Sequence, residues 1–267
     1  MQTLRRPPLV LAYHGLGQLP PTLDPKRMML PPPRFRQHLR SIARRGYEFV
    51  TASEFADRAF DDAYPERRLL DAGSTGPLCA LTFDDGLLDN LEVLPGVLRE
   101  FDARATVFVC SGMLGQPHPG FPPQAGVRVM DADELRRLAG YDSLEIGSHT
   151  RLHTDLGEVS GDEAYEEMVA SKRELEELLQ RPVWSFAYPY GRYSEACPDA
   201  ARRAGYKVAV AVAPHGGFHR YELYRESADP RGGSLAFALK SRGLWRPIRR
   251  SAPGRLAHAL ARHTFPR

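Results

Sequence analysis

Two adjacent carboxylates, Asp84 and Asp85, stand where the apolar run Leu81-Thr82-Phe83 stops and Gly86 lets the backbone turn. A second cluster, His149-Thr150-Arg151-Leu152-His153, supplies two imidazoles at a spacing that can close on one metal ion. One aspartate and two histidines leave coordination positions for water and substrate, the pattern of a catalytic rather than a structural metal site. These residues point to a metal-dependent hydrolase, without saying which aspartate holds the ion and which takes a proton. Taken singly each feature is weak, because Asp-Asp-Gly is commonly a turn and a His pair four apart is commonly the solvated face of a helix. An aspartyl-phosphate mechanism needs Asp-x-Asp spacing, which Asp84-Asp85 does not provide.

Short apolar runs alternate with amphipathic segments, which predicts a parallel sheet with helices outside it. Strands are expected at Leu9 to Tyr13, Tyr47 to Val50, Leu78 to Phe83, Ala105 to Cys110, Leu144 to Ile146, Val183 to Ala187, Lys207 to Val212 and Glu222 to Arg225. Helical spacing marks Phe35 to Arg45. Capping-box spacing marks helix starts at Thr51, Asp131 and Ser160, and Ser194 precedes another helix, Glu195 to Ala204. About seven strands with intervening helices predict a distorted β/α barrel. Chemistry in such a barrel gathers at the C-terminal ends of the strands, where Asp84-Asp85, His149 and Tyr188-Pro189-Tyr190-Gly191 would all converge. The proline-rich, aperiodic stretches Leu16 to Pro33 and Leu114 to Val129 are expected to face substrate, with His118 an inert loop histidine.

With 267 residues, 42% of them hydrophobic, the chain can bury one sizeable core. A barrel is expected over residues 1–244 and a basic, helical segment over 245–267, with peripheral contact to an anionic membrane as that segment's sharper reading. The net charge of +3 is mild and there is no interleaving of basic and aromatic residues, which argues against a nucleic-acid partner. Cys79, Cys110 and Cys197 form neither a disulfide framework nor a metal knuckle. No signal-like segment or membrane span is evident, so a cytoplasmic protein is expected.

Three segments in order, Thr82-Phe83-Asp84-Asp85-Gly86, His149-x-x-x-His153 and Phe186-Ala187-Tyr188-Pro189-Tyr190-Gly191, resemble the motifs of the NodB-homology polysaccharide deacetylases, the family 4 carbohydrate esterases. The lead-in Leu11-Ala12-Tyr13-His14-Gly15 is similar to the branch acting on exopolysaccharide and poly-N-acetylglucosamine. The resemblance implies that Asp85, His149 and His153 hold a divalent metal, zinc first, with cobalt, nickel or iron suited to the same ligands. It also implies that Asp84 is the general base and that the backbone N–H of Tyr190 meets the oxyanion. Where many members carry an arginine that pairs with the base, this chain has Ala187, and Arg225 is the expected replacement. The usual late Leu-x-x-His motif is missing, so His14 is expected to be the general acid. Leu223 and Tyr188 are expected to line the acetyl pocket, since no tryptophan falls there.

The implied function is hydrolysis of an N-acetyl group on an amino sugar, in a polysaccharide or a lipid-linked glycan precursor. Two alternatives stand beside it: an amidohydrolase of small amides, and a catalytically impaired barrel that only binds glycan.

Overall fold

The computed structural model describes residues 7–60, 77–212, 218–228, 230, 233–242 and 244. The segment 245–267, with its expected helix and membrane contact, lies outside them. Among the described residues nine strands run β1 (Leu9–Tyr13), β2 (Glu48–Val50), β3 (Leu78–Phe83), β4 (Ala105–Val109), β5 (Leu144–Ser148), β6 (Ser185–Ala187), β7 (Val208–Ala211), β8 (Leu223–Tyr224) and β9 (Glu226–Ser227). Seven described α-helices accompany them: α1 (Pro32–Ala43), α2 (Ala52–Ala59), α3 (Leu88–Glu100), α4 (Ala132–Ala139), α5 (Gly161–Leu179), α6 (Cys197–Arg203) and α7 (Gly233–Lys240).

Every strand pairing is parallel, in the order β8-β7-β6-β5-β4-β3-β1-β9, with β2 added beside the first half of β3. The two short strands at the ends of this order are consecutive in the chain. Leu223 and Tyr224 pair with β7, while Glu226 and Ser227 pair with β1. One extended segment therefore spans both edges and closes the sheet into a barrel, with Arg225 at the crossover donating its N–H to Ala211 O at 2.8 Å. The single strand expected over Glu222 to Arg225 is thus two. The barrel is distorted, as expected, since β5 and β6 share only the pair Ser148↔Phe186.

Alternation along the strands divides the core in two. Leu9, Leu11 and Tyr13, Cys79, Leu81 and Phe83, and Val107 and Val109 face outward beneath the helices. Val10, Leu78 and Ala80, Phe108, Ala187, Val208, Val210 and Leu223 fill the interior. Phe108 fits there because Gly147 across from it has no side chain: a Cβ at Gly147 would stand 2.5 Å from the ring. The interior's N-terminal end is closed by α2 through Ala52, Phe55, Ala56 and Ala59. Its capping box forms as Thr51 and Glu54 predict, and so do those of Asp131 and Ser160.

Candidate active site

The opposite end of the barrel collects the polar residues. Asp84 and Asp85 follow β3, whose interior and exterior faces alternate up to the point where the chain leaves the sheet. Asp85 turns it with φ 73° and Gly86 continues at φ 66°. His149 follows β5, and the loop it opens, rather than a helix, brings His153 back beside it with ring centroids 4.9 Å apart. Thr150 and His153 in that loop also have positive φ, 64° and 58°. The loop is fastened from below: Ser171 Oγ donates to Thr150 O at 3.0 Å, lies 2.7 Å from Ser148 Oγ, and Thr154 N–H donates to Thr150 Oγ1. Left-handed backbone at residues other than glycine costs energy and persists only where surrounding structure imposes it.

The two aspartates occupy different environments. Both oxygens of Asp84 accept from Arg225, Nη1 to Oδ1 at 2.6 Å and Nη2 to Oδ2 at 2.8 Å. Arg225 is 1% exposed and also donates to Thr82 Oγ1. It reaches Asp84 from the barrel's closing segment, between β8 and β9. Burial alone would raise the Asp84 pKa, but Arg225, then His149 and His14, hold it below the usual carboxylate range.

Asp85 has one tied and one free oxygen. His118 Nε2 lies 3.2 Å from Oδ2. Oδ1 is buried with no hydrogen-bond partner among the described residues, and faces His153 Nε2 at 3.4 Å and His149 Nε2 at 3.8 Å. The far nitrogen of His149, Nδ1, is 2.7 Å from Ala187 O, so it carries the proton and leaves Nε2 with a lone pair. Burial lowers the pKa of both imidazoles, that of His153 to about 4 with His149 adding to the effect. Burial opposes ionisation of Asp85, yet His118 and the neighbouring imidazoles hold its pKa low. One possible donor atom from each of Asp85, His149 and His153 lies within 4.8 Å of the other two, the donor set of a divalent-cation site. The orphaned Oδ1 fits such an ion, since a buried oxygen without a donor is otherwise costly.

The family comparison matches residues 72–209, just over half of the chain, to the polysaccharide deacetylases. The chain belongs to the polysaccharide deacetylase family. It is accordingly a hydrolase of the deacetylase class. Among similar proteins, YxkH of Bacillus subtilis (strain 168), which bears the polysaccharide deacetylase name, is 25% identical over 232 residues, 85% of this chain and 74% of YxkH. The chitin deacetylase of Colletotrichum lindemuthianum is 33% identical over 123 residues, 46% of this chain and 44% of that protein. In fold the deacetylase resembles IcaB from Ammonifex degensii, with a TM-score of 0.70, 21% identity and 88% and 97% of the two chains covered. Streptococcus pyogenes PplD, a deacetylase solved with acetate, gives 0.69, 23%, 90% and 99%.

The other expected residues of this deacetylase fall as follows. His14, just past β1 and half-buried, acts electrostatically on both aspartates, and its carbonyl accepts from Asn90 Nδ2 at 3.0 Å. Tyr190 sits in the turn Pro189–Gly191 with φ 58°, its exposed ring 4.4 Å from that of His153. Both His14 and Arg225 come from outside the family-matched segment.

Two expectations fail. Tyr188 does not line a pocket at the mouth: it is buried in the outer core, stacked on Tyr193, with its hydroxyl donating to Tyr221 O. His118 is not an inert loop residue, because its loop folds back against the segment after Asp85 and buries it. Its sequence signal was only a histidine in a long loop without period. Leu223, expected to line the pocket with Tyr188, is fully buried in the interior core two residues before Arg225.

Proposed function

We propose that this deacetylase is a metal-dependent de-N-acetylase acting on an N-acetylated amino sugar, in a polysaccharide or a lipid-linked glycan. The observation that carries the reading is the orphaned Oδ1 of Asp85 between two neutral imidazoles, beside a second carboxylate gripped by arginine. Asp85, His149 and His153 would hold the ion, zinc by preference for two imidazoles and a carboxylate, with cobalt, nickel or iron suited to the same set. When bound, the ion supplies Lewis acidity, polarising the acetyl carbonyl and bringing the pKa of water down toward about 7.

Asp84 is the base. Its two bonds to Arg225 leave each oxygen a further lone pair, and the guanidinium keeps it ionised, ready to take the proton of the attacking water. The Tyr190 N–H, turned by the left-handed backbone after Pro189, donates to the oxyanion that develops on the acetyl oxygen. His14 gives a proton to the departing amine, so that amide and water become acetate and a free amino sugar. The arginine pair on Asp84 supports catalytic competence over a binding-only barrel. The acetate complex of PplD and the chitin deacetylase name are in keeping with acetyl transfer to water.

The test is acetate release from N-acetylglucosamine oligomers and from lipid-linked N-acetylated sugars, with zinc or cobalt added. Asp84→Asn should keep the fold and lose about 10²–10⁴ in rate. His149→Ala should lose the ion by elemental analysis. An Asp84→Asn variant as fast as wild type removes the base, and release from small amides alone transfers the enzyme to the amidohydrolases.

A further inference from the structure

The two oxygens of Asp85 face different partners, and one of those partners, His118, lies outside the three motifs. His118 stands on the long loop after β4, yet its position is fixed by backbone pairing rather than by chance. The loop doubles back so that Pro117 bridges Arg128, and Val129 in turn bridges Leu87, two residues beyond Asp85. Met130 N–H donates to Gly86 O at 2.9 Å, Leu88 N–H to Arg128 O at 3.1 Å and His118 N–H to Val127 O at 3.0 Å. A small apolar cluster of Met29, Leu87 and Phe121 covers this hairpin, with the Phe121 ring edge-on to His118. The imidazole is buried and held at Asp85 from its own side of the site.

Its tautomer is fixed by a second contact. Nδ1 accepts the N–H of Gly120 at 3.0 Å, so the ring proton of neutral imidazole must sit on Nε2. Nε2 then has no lone pair for an ion and can only donate, and 3.2 Å away is Asp85 Oδ2. We propose that His118 is a positioning residue of the metal centre: by donating to Oδ2 it restricts Asp85 to one-oxygen coordination and aims Oδ1 at the point between His149 and His153. Hydrogen-bonded partners of metal ligands commonly orient the ligand and tune its basicity. Ligands from β3 and β5 are thereby joined to a hairpin that contributes no ligand. The inference rests on the metal reading above.

The experiment uses the whole protein stripped of metal and titrated with zinc against a chromophoric chelator, then with cobalt for its visible absorption. Relative to wild type, His118→Ala should bind zinc about 10–100-fold more weakly. Its cobalt spectrum should weaken and shift as Asp85 becomes free to bind through both oxygens. Gly120→Ala keeps the imidazole but displaces it, since the new Cβ would meet Cε1 at 2.9 Å and Nδ1 at 3.0 Å, and should move both readouts the same way. His118→Gln, which keeps an N–H donor, should recover part of the affinity. Should His118→Ala not fold, Gly120→Ala and His118→Gln decide the matter by the same readouts. Wild-type affinity and an unchanged cobalt spectrum in the variants overturn the inference while the metal reading stands. A wild type that takes up no ion removes both.

Discussion

The two ends of the barrel are made by the same strands and treat their polar groups in opposite ways. At the N-terminal end, Glu145 accepts from Ser185 Oγ, Thr106 Oγ1 and the Ser53 N–H, while Thr106 Oγ1 itself accepts from Ala52 N–H. The first turn of α2 is thus satisfied by the barrel interior, with a carboxylate at the positive end of the helix. At the C-terminal end Asp85 keeps an oxygen without a donor, and Asp85, Thr150, His153 and Tyr190 all adopt left-handed backbone. One end closes its accounts in hydrogen bonds and apolar area; the other holds its polar groups in readiness. Stability and chemistry are therefore separable along the barrel axis.

Breaking the closed end should cost stability and spare the site. Phe55 is fully buried and is the largest of the buried side chains on α2, and Phe55→Ala should lower unfolding stability by about 3–5 kcal/mol with zinc stoichiometry unchanged in the folded protein. Denaturant melts and metal analysis check this, and a loss of zinc at native conditions would show that the ends are coupled. In the middle of the axis, Gly147→Ala drives a methyl into the Phe108 ring and should cost about 1–3 kcal/mol by overpacking, read as a fall in thermal midpoint.

A buried orphan away from either end sharpens the contrast. His38 Nε2 also lacks a partner among the described residues, but the charges that act on it are those of Arg34 and Lys240; the ring stacks on Phe237 at 3.5 Å and Nδ1 is 3.3 Å from the Tyr13 hydroxyl. Burial, then the charges of Arg34 and Lys240, push its pKa down to about 3. The unfolded chain takes up a proton below about pH 6.5 and the folded one does not, so His38 costs stability progressively as pH falls from there toward 3. His38→Gln should flatten the decline in urea midpoint between pH 7 and 4. An unchanged slope would mean that the imidazole protonates in place. Smallest of all, Thr51→Ala removes one cap from α2 and should cost about 1 kcal/mol, visible in the same melts.

Much of the frame was legible before the structure. Apolar runs located eight strand regions and three capping boxes formed where their spacing put them, because both are local signals. Helix α3 was not seen: it lacks a side-chain cap and carries Pro95 within it. The helix expected from Glu195 begins only at Cys197. At the site, the motifs bring Asp84, Asp85, His149 and His153 to one end, yet the different surroundings of Asp84 and Asp85 come from Arg225 and His118, 141 and 33 positions away in sequence from the respective aspartates. No periodicity encodes such a meeting. His118 in particular was hidden by its loop, whose hairpin pairing has neither alternation nor a glycine turn of recognisable type.

The segment from Leu223 to Ser227 welds the first strand to the seventh, and at its midpoint carries the guanidinium that steadies Asp84. A nascent chain that has not yet delivered this stretch has an open ring and an ungoverned carboxylate, whatever else has folded. Completion of the cylinder and the pairing of Asp84 with its cation are one event, because the same five residues accomplish both.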